Sequence, residues 1–154
     1  MRKDLMALGL AATAFACCTA IMATAATPAQ TISLRKGNFK EMGGSFKTVN
    51  DEIKSGSPNL AVVRPAARDI ATRARATVNL FPRGTGTEAG VTTRALPIIW
   101  TNANQFVQAQ RNLISAADAL NAVAVSGNTA ALPAAAKALG ATCKSCHEQF
   151  RESD

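Results

Sequence analysis

Five consecutive residues near the C-terminus carry the most specific chemistry of the chain: Cys143, Lys144, Ser145, Cys146 and His147. They read C-x-x-C-H, the attachment pattern of a c-type haem, in which two thiols form thioethers with the haem vinyl groups and the histidine binds iron. On a helix, positions three and four apart share a face, so Cys143, Cys146 and His147 can all reach one porphyrin. His147 is the only histidine among the 154 residues.

Other chemistries use similar residues. A thioredoxin-like C-x-x-C site follows a strand in a βαβ setting, and no strand-like alternation appears in this sequence. A zinc site needs four ligands, and outside the leader described next the chain offers two thiols and one imidazole, with carboxylates to complete the set. A local disulfide between Cys143 and Cys146 would constrain the unfolded chain little, because the closed ring is so short. The three side chains could also be ordinary core residues that fall together. The joint occurrence of an export signal, a helical context, inward thiols and a solitary histidine selects covalent haem c, one per chain.

The export signal is read from Arg2 and Lys3, the apolar run Leu5 to Ile21, and the small-x-small pattern Ala23-Thr24-Ala25. Residues 1–25 are expected to be a cleaved secretory signal peptide and residues 26–154 one domain, placed in the periplasm. As a retained anchor the apolar run is short for a span, so no stable membrane insertion is expected. A lipoprotein site at Cys17 lacks the large aliphatic residue in Ala14-Phe15-Ala16. Cleavage removes Cys17 and Cys18, leaving Cys143 and Cys146 as the thiols of the exported domain.

Formal charge is +7, and Arg2, Lys3 and Asp4 of the leader leave +6 on the remainder. The one dense basic run is Arg64, Arg68, Arg73 and Arg75, carried by a single predicted helix. No aromatics interleave with it, so it reads as a solvated face rather than a nucleic-acid patch. Docking to an acidic redox partner or anionic lipid is the weaker functional reading of that run.

These side chains must be held by helices. Ile32, Arg35, Phe39, Met42, Phe46, Val49 and Ile53 recur at alternating spacings of three and four, which predicts an amphipathic helix over about Ile32 to Lys54. Gly43-Gly44 costs helix propensity and suggests a close approach to the backbone there. Ser57-Pro58 predicts a second helix start, with Leu60, Val63, Ala67, Ile70, Ala74, Val78 and Phe81 as its stripe and Pro82 as its end. A loop of about thirteen residues follows, from Arg83 to Ala95. Pro97 opens a third helix with Ile99, Ala103, Phe106, Leu113, Ala117, Leu120 and Ala124 inward, and Gly127 stops it. The fourth helix begins near Asn128 or Thr129. Its stripe is Leu132, Ala136, Leu139, Cys143, Cys146 and Phe150, which turns both thiols into the core. The fold class is therefore all-α, an antiparallel four-helix bundle with its cofactor inside.

The segment Cys143 to Arg151 resembles the haem segment of cytochrome c′ and its low-spin relatives, the class II cytochromes c. The first-helix run Leu34 to Gly44, the loop Phe81-Pro82-Arg83-Gly84-Thr85-Gly86-Thr87 and the pair Ile99-Trp100 are similar to that family as well. The resemblance implies that Cys143 and Cys146 are the thioether residues and His147 the proximal axial ligand. It implies that Arg35 lies near a haem propionate and that Arg151 packs beside the proximal histidine, on the same helix face. It also implies a homodimer through the first two helices, while the redox partner stays unidentified.

In the family, the residue four after the first-helix arginine faces the sixth iron position, and Phe39 stands there. Phenylalanine has no lone pair to donate, so a five-coordinate, high-spin haem that binds NO or CO is expected. Met42 lies one turn on, and with a shifted register its thioether would complete a low-spin electron carrier with His147. Either protein is a carrier or gas binder rather than an enzyme, because no second histidine or acid–base pair is evident for the distal side.

Overall fold

The structure, a computed structural model, describes residues 26–153; the expected signal peptide lies outside them. Five α-helices account for the fold: α1 (Pro28–Lys54), α2 (Leu60–Ala76), α3 (Ile98–Thr101), α4 (Ala103–Ser126) and α5 (Leu132–Phe150). The four long ones form the expected bundle. α1 packs on α2, α2 on α4 and α4 on α5, whereas α1 and α5 touch only sparsely.

Each boundary has a local cause. Thr27 and Gln30 form a reciprocal capping box at the start of α1, with Pro28 in the first turn. The start of α2 differs from expectation. Asn59, not Ser57, is the cap, its side chain accepting from the Ala61 N–H while its own N–H donates to Glu52. The end of α2 also differs: the helix stops at Ala76 and a 3-10 turn over Thr77–Asn79 follows. Val78 is thereby turned outward, 57% exposed, rather than continuing the buried stripe. The third predicted helix is broken at Asn102, whose backbone (φ −123°, ψ 57°) separates α3 from α4. Ala103 consequently faces solvent and Gln110 fills the buried position between Phe106 and Leu113. Gly127 ends α4 in the left-handed region at φ 78°, as its position in the sequence predicted. A 3-10 turn capped by Asn128 then leads into α5.

The core has two parts. A long apolar column contains Met42, Val49, Val63, Ile70, Leu113, Leu120 and Leu139. A shorter aromatic cluster at one end contains Ile99, Phe106 and Phe150, with Phe81, Trp100 and Cys146 against it. Polar contacts set the α1–α2 register: Asn38 Nδ2 donates to the Arg73 carbonyl at 3.0 Å and Ser45 Oγ to Asp69 Oδ2 at 2.7 Å.

Most of the basic run on α2 has partners within the molecule, although Arg64, Arg68 and Arg75 remain exposed. Arg64 donates to the Ala124 carbonyl at the end of α4, Arg73 to Asp69, and Arg75 to Asp118. An arginine at a helix C-terminus meets orphan carbonyls and the negative end of the dipole. The run is thus mostly exposed, as expected, with three of its four arginines bonded to neighbouring groups.

Candidate haem site

The stripe of α5 opens onto a cavity of about 580 Å³, within the ~300–1,000 Å³ usual for cofactor sites. Cys143, Cys146 and His147 all line it, as the helical spacing requires. The two thiols are half-buried and His147 is exposed at the rim. Burial pushes both thiols up, Cys146 to about 11 with the neighbouring Cys143 adding to the effect, so both are neutral against an apolar wall. Among the described residues, no three or more His, Cys, Asp or Glu side chains gather as a metal ion would need.

The facing wall belongs to α1, which contributes Arg35, Phe39, Met42, Gly43 and Phe46. One close approach fixes how this wall stands against α5. A Cβ placed on Gly140 would lie 3.5 Å from the Phe46 ring. The two helices run in opposite directions, so seven residues back along α1 and seven forward along α5, ~10.5 Å in each case, bring Phe39 level with His147. A step of four residues along each helix places Met42 level with Lys144, near Cys143. Met42 is buried in the long column, and Phe39 packs half-buried against the same column on the side facing Phe81. Its ring meets Phe81 edge-on at 6.2 Å, Phe81 meets Phe106 at 4.7 Å, and Phe106 meets Phe150 at 5.1 Å. These four rings form an arc from α1 round to α5. The glycines Gly43 and Gly44 meet no neighbouring protein group, since a Cβ on either would have open space.

Arg35 is 3% exposed, on a buried slot of the α1 stripe. Its Nη1 donates to the Leu80 carbonyl at 3.3 Å and to Thr85 Oγ1 at 3.1 Å; its Nη2 donates to the Thr85 carbonyl at 2.9 Å and to Thr93 Oγ1 at 2.8 Å. The guanidinium also stacks 4.6 Å from the Phe81 ring centroid. Burial lowers its pKa from the usual arginine value. All four hydrogen bonds go to neutral oxygens, so a buried positive charge stands at the cavity wall without a carboxylate among these partners.

Arg151 lines the same cavity but does not continue the face of α5, as the sequence suggested. The helix ends at Phe150, and Arg151 is extended (φ −124°, ψ 135°), bridged antiparallel to Ala95. The Leu96 N–H donates to the Phe150 carbonyl at 3.0 Å and the Glu152 N–H to the Arg94 carbonyl at 2.8 Å. The segment from Leu80 to Leu96 is thus held at one end by Arg35 and at the other by the chain just beyond α5.

Several residues in the wall, or bonded to it as Thr85 is through Arg35, had no distinctive sequence signal. Thr85 and Thr93 look like ordinary loop threonines, and Gln110 hides in the core stripe of α4. Its Nε2 donates to the Thr77 carbonyl at 2.9 Å, a buried polar pair in a mostly apolar wall. Lys36 and Lys40 follow from α1 geometry once the cavity is located.

The Cytochrome C′ family model matches residues 30–151. The chain belongs to the cytochrome c′ family. Cytochrome c′ of Pararhodospirillum photometricum is 35% identical over 128 residues, 82% of this chain and 100% of that protein. Cytochrome c-556 of Agrobacterium fabrum is 34% identical over 142 residues, 92% of each. The nitric oxide complex of the L16A mutant of cytochrome c′ from Alcaligenes xylosoxidans superposes with TM-score 0.76 and 26% identity, covering 85% of this chain and all of that one. Cytochromes c′ are haem c proteins of electron transport built on helical bundles, and this chain is a c-type cytochrome of that kind. The cavity fits the group: its wall is apolar, two thiols and an imidazole share one side, and a buried guanidinium without a carboxylate suits an acidic substituent.

Proposed function

We propose that this protein is a periplasmic cytochrome c′ whose haem is held by Cys143 and Cys146 as thioethers and by His147 as axial ligand. In this reading the sixth position faces Phe39, and the protein binds small neutral gases such as NO or CO or passes single electrons. The observation that carries it is the Phe46–Gly140 contact, which brings Phe39 level with His147.

When bound, the haem supplies an iron that takes up one electron or one neutral diatomic. Phe39 presents a ring without a lone pair, which fills space and excludes water and anions. Phe81, Phe106 and Phe150 hold that ring from behind. Arg35 keeps the loop from Leu80 to Thr93 against α1 and offers its charge to a propionate. The cavity wall carries a single imidazole and no carboxylate, which supports a carrier or gas binder rather than an acid–base enzyme. The nitric oxide complex known for the Alcaligenes relative supports the gas-binding reading.

Met42 also lines the cavity, and this favours a second reading in which its thioether is the sixth ligand of a low-spin carrier. Optical spectra of the purified holoprotein, oxidised, reduced and reduced under CO, separate the two. A high-spin ferrous spectrum that CO shifts is expected. A thioether-to-iron charge-transfer band at the red end of the oxidised spectrum overturns the five-coordinate reading. Mass analysis of the same sample tests both thioethers and the removal of residues 1–25. For the homodimer, α1 offers Leu34, 59% exposed beside a surface groove that Leu80 also lines; sedimentation gives the oligomeric state. No helix among the described residues is long and apolar enough to cross a membrane.

A further inference from the structure

The cavity opens to solvent between α1 and α5, which touch only sparsely. The exposed part of its wall includes Lys36, Lys40, Gly43 and Thr92 on one side and His147 on the other. Every charged side chain in the wall is basic: Arg35, Lys36, Lys40, Arg94 and Arg151, and no aspartate or glutamate takes part. Lys36 and Lys40 are four apart on α1 and therefore stand one above the other along the opening. Glu41, Glu148 and Glu152 occupy the same segments but lie outside the wall, and Glu148 is 3.7 Å from Lys144. Lys36 and Lys40 are exposed and belong to none of the ion pairs Lys47–Asp51, Arg73–Asp69, Arg75–Asp118 and Lys144–Glu148, so these two charges face the solvent at the opening. The basic run on α2 differs: it is also mostly exposed, but three of its four arginines bond to protein acceptors, two of them to aspartates.

We propose that the opening between α1 and α5, with Lys36 and Lys40 at its centre, is the docking surface for an acidic electron-transfer protein. The inference rests on the haem lying in this cavity with an edge toward the opening. Exposed charge of one sign beside a low-dielectric mouth focuses field and raises the encounter rate of an oppositely charged partner. An acidic face brought there stands over the shortest route into the site, past Gly43, whose missing side chain leaves open space.

The test uses the ferric holoprotein and a reduced plant-type [2Fe–2S] ferredoxin as an acidic probe. One electron leaves the probe's cluster and arrives at the ferric haem, with no proton or group transferred. Stopped-flow rates are measured for the natural chain, for Lys36→Glu/Lys40→Glu, for the milder Lys36→Gln/Lys40→Gln, and for Arg68→Glu/Arg111→Glu. The last pair changes net charge equally at two exposed positions away from the cavity wall. The second-order rate constant of the natural chain is expected to fall at least tenfold on raising salt from 10 to 200 mM, over which screening shortens from ~30 to ~7 Å. At 10 mM, Lys36→Glu/Lys40→Glu is expected to be at least tenfold slower and nearly salt-independent, the glutamine pair intermediate, and Arg68→Glu/Arg111→Glu within about threefold of the natural chain. Equal losses in the two glutamate pairs, or no loss in either, overturn the docking surface. A natural chain purified without covalently bound haem would instead count against the site reading beneath it.

Discussion

Phe46 on α1 and Gly140 on α5 approach so closely that a Cβ on the glycine would sit 3.5 Å from the ring, an ordinary van der Waals distance. The contact sets the register across the cavity without occupying its last free space. Gly140 is helical and has no positive φ. Gly140→Ala is therefore expected to stabilise the holoprotein by about 0.5–1 kcal/mol through helix propensity. Thermal unfolding should show the rise, with the haem spectrum unchanged. A destabilised Gly140→Ala protein would mean that the helices are closer than this contact implies.

On the proposed reading, the same register makes Phe39 the residue that decides coordination. Phe39→Met is expected to convert a high-spin haem to a six-coordinate, low-spin one, visible in the optical and paramagnetic resonance spectra. Met42→Leu, close in volume, is expected to leave the spin state unchanged and to cost less than about 1.5 kcal/mol. Loss of a low-spin spectrum in Met42→Leu would establish the alternative ligand.

Arg35 holds three loop oxygen-bearing residues that are 45 to 58 positions away in sequence. Arg35→Gln removes most of these bonds and leaves buried acceptors unmatched, at a cost of about 2–4 kcal/mol. Denaturant unfolding measures the loss. Faster exchange of the amides between Leu80 and Thr93, compared with those of α4, would show that the loop is what Arg35 restrains.

Asp69 links α1 and α2 by accepting from Ser45 and Arg73. Burial works against its ionisation, but the bonds from Ser45 and Arg73 and the charge of Arg73 outweigh it and hold its carboxyl below the usual range. A depressed folded value stabilises the protein above the unfolded carboxylate range, and the contribution is lost as pH falls through the folded value. The pair is about one-third exposed, so Asp69→Asn should cost only about 0.5–1 kcal/mol at pH 7. The difference from the natural chain should vanish near pH 2, as acid-unfolding curves would show.

The sequence by itself determined the haem motif, the helical class and most of the inward stripe. Leu132, Ala136, Leu139, Cys143, Cys146 and Phe150 are spaced by the helix, and that spacing is a local property that residue order records completely. Gly127 was legible for the same reason, since a left-handed cap requires only its own backbone freedom. Tertiary structure decided what lies between the stripes. Val78 turns outward because a 3-10 turn replaces the last turn of α2. Arg35 finds Thr85 and Thr93, and Arg151 leaves the helix to meet Ala95, because partners distant in sequence satisfy buried donors and free backbone groups. Phe39 and Met42 lie on one stripe and are indistinguishable by period. Only the packing of Phe46 on Gly140 sets their heights against His147, because a helix repeats its pattern along its own axis and carries no record of where its neighbour stands.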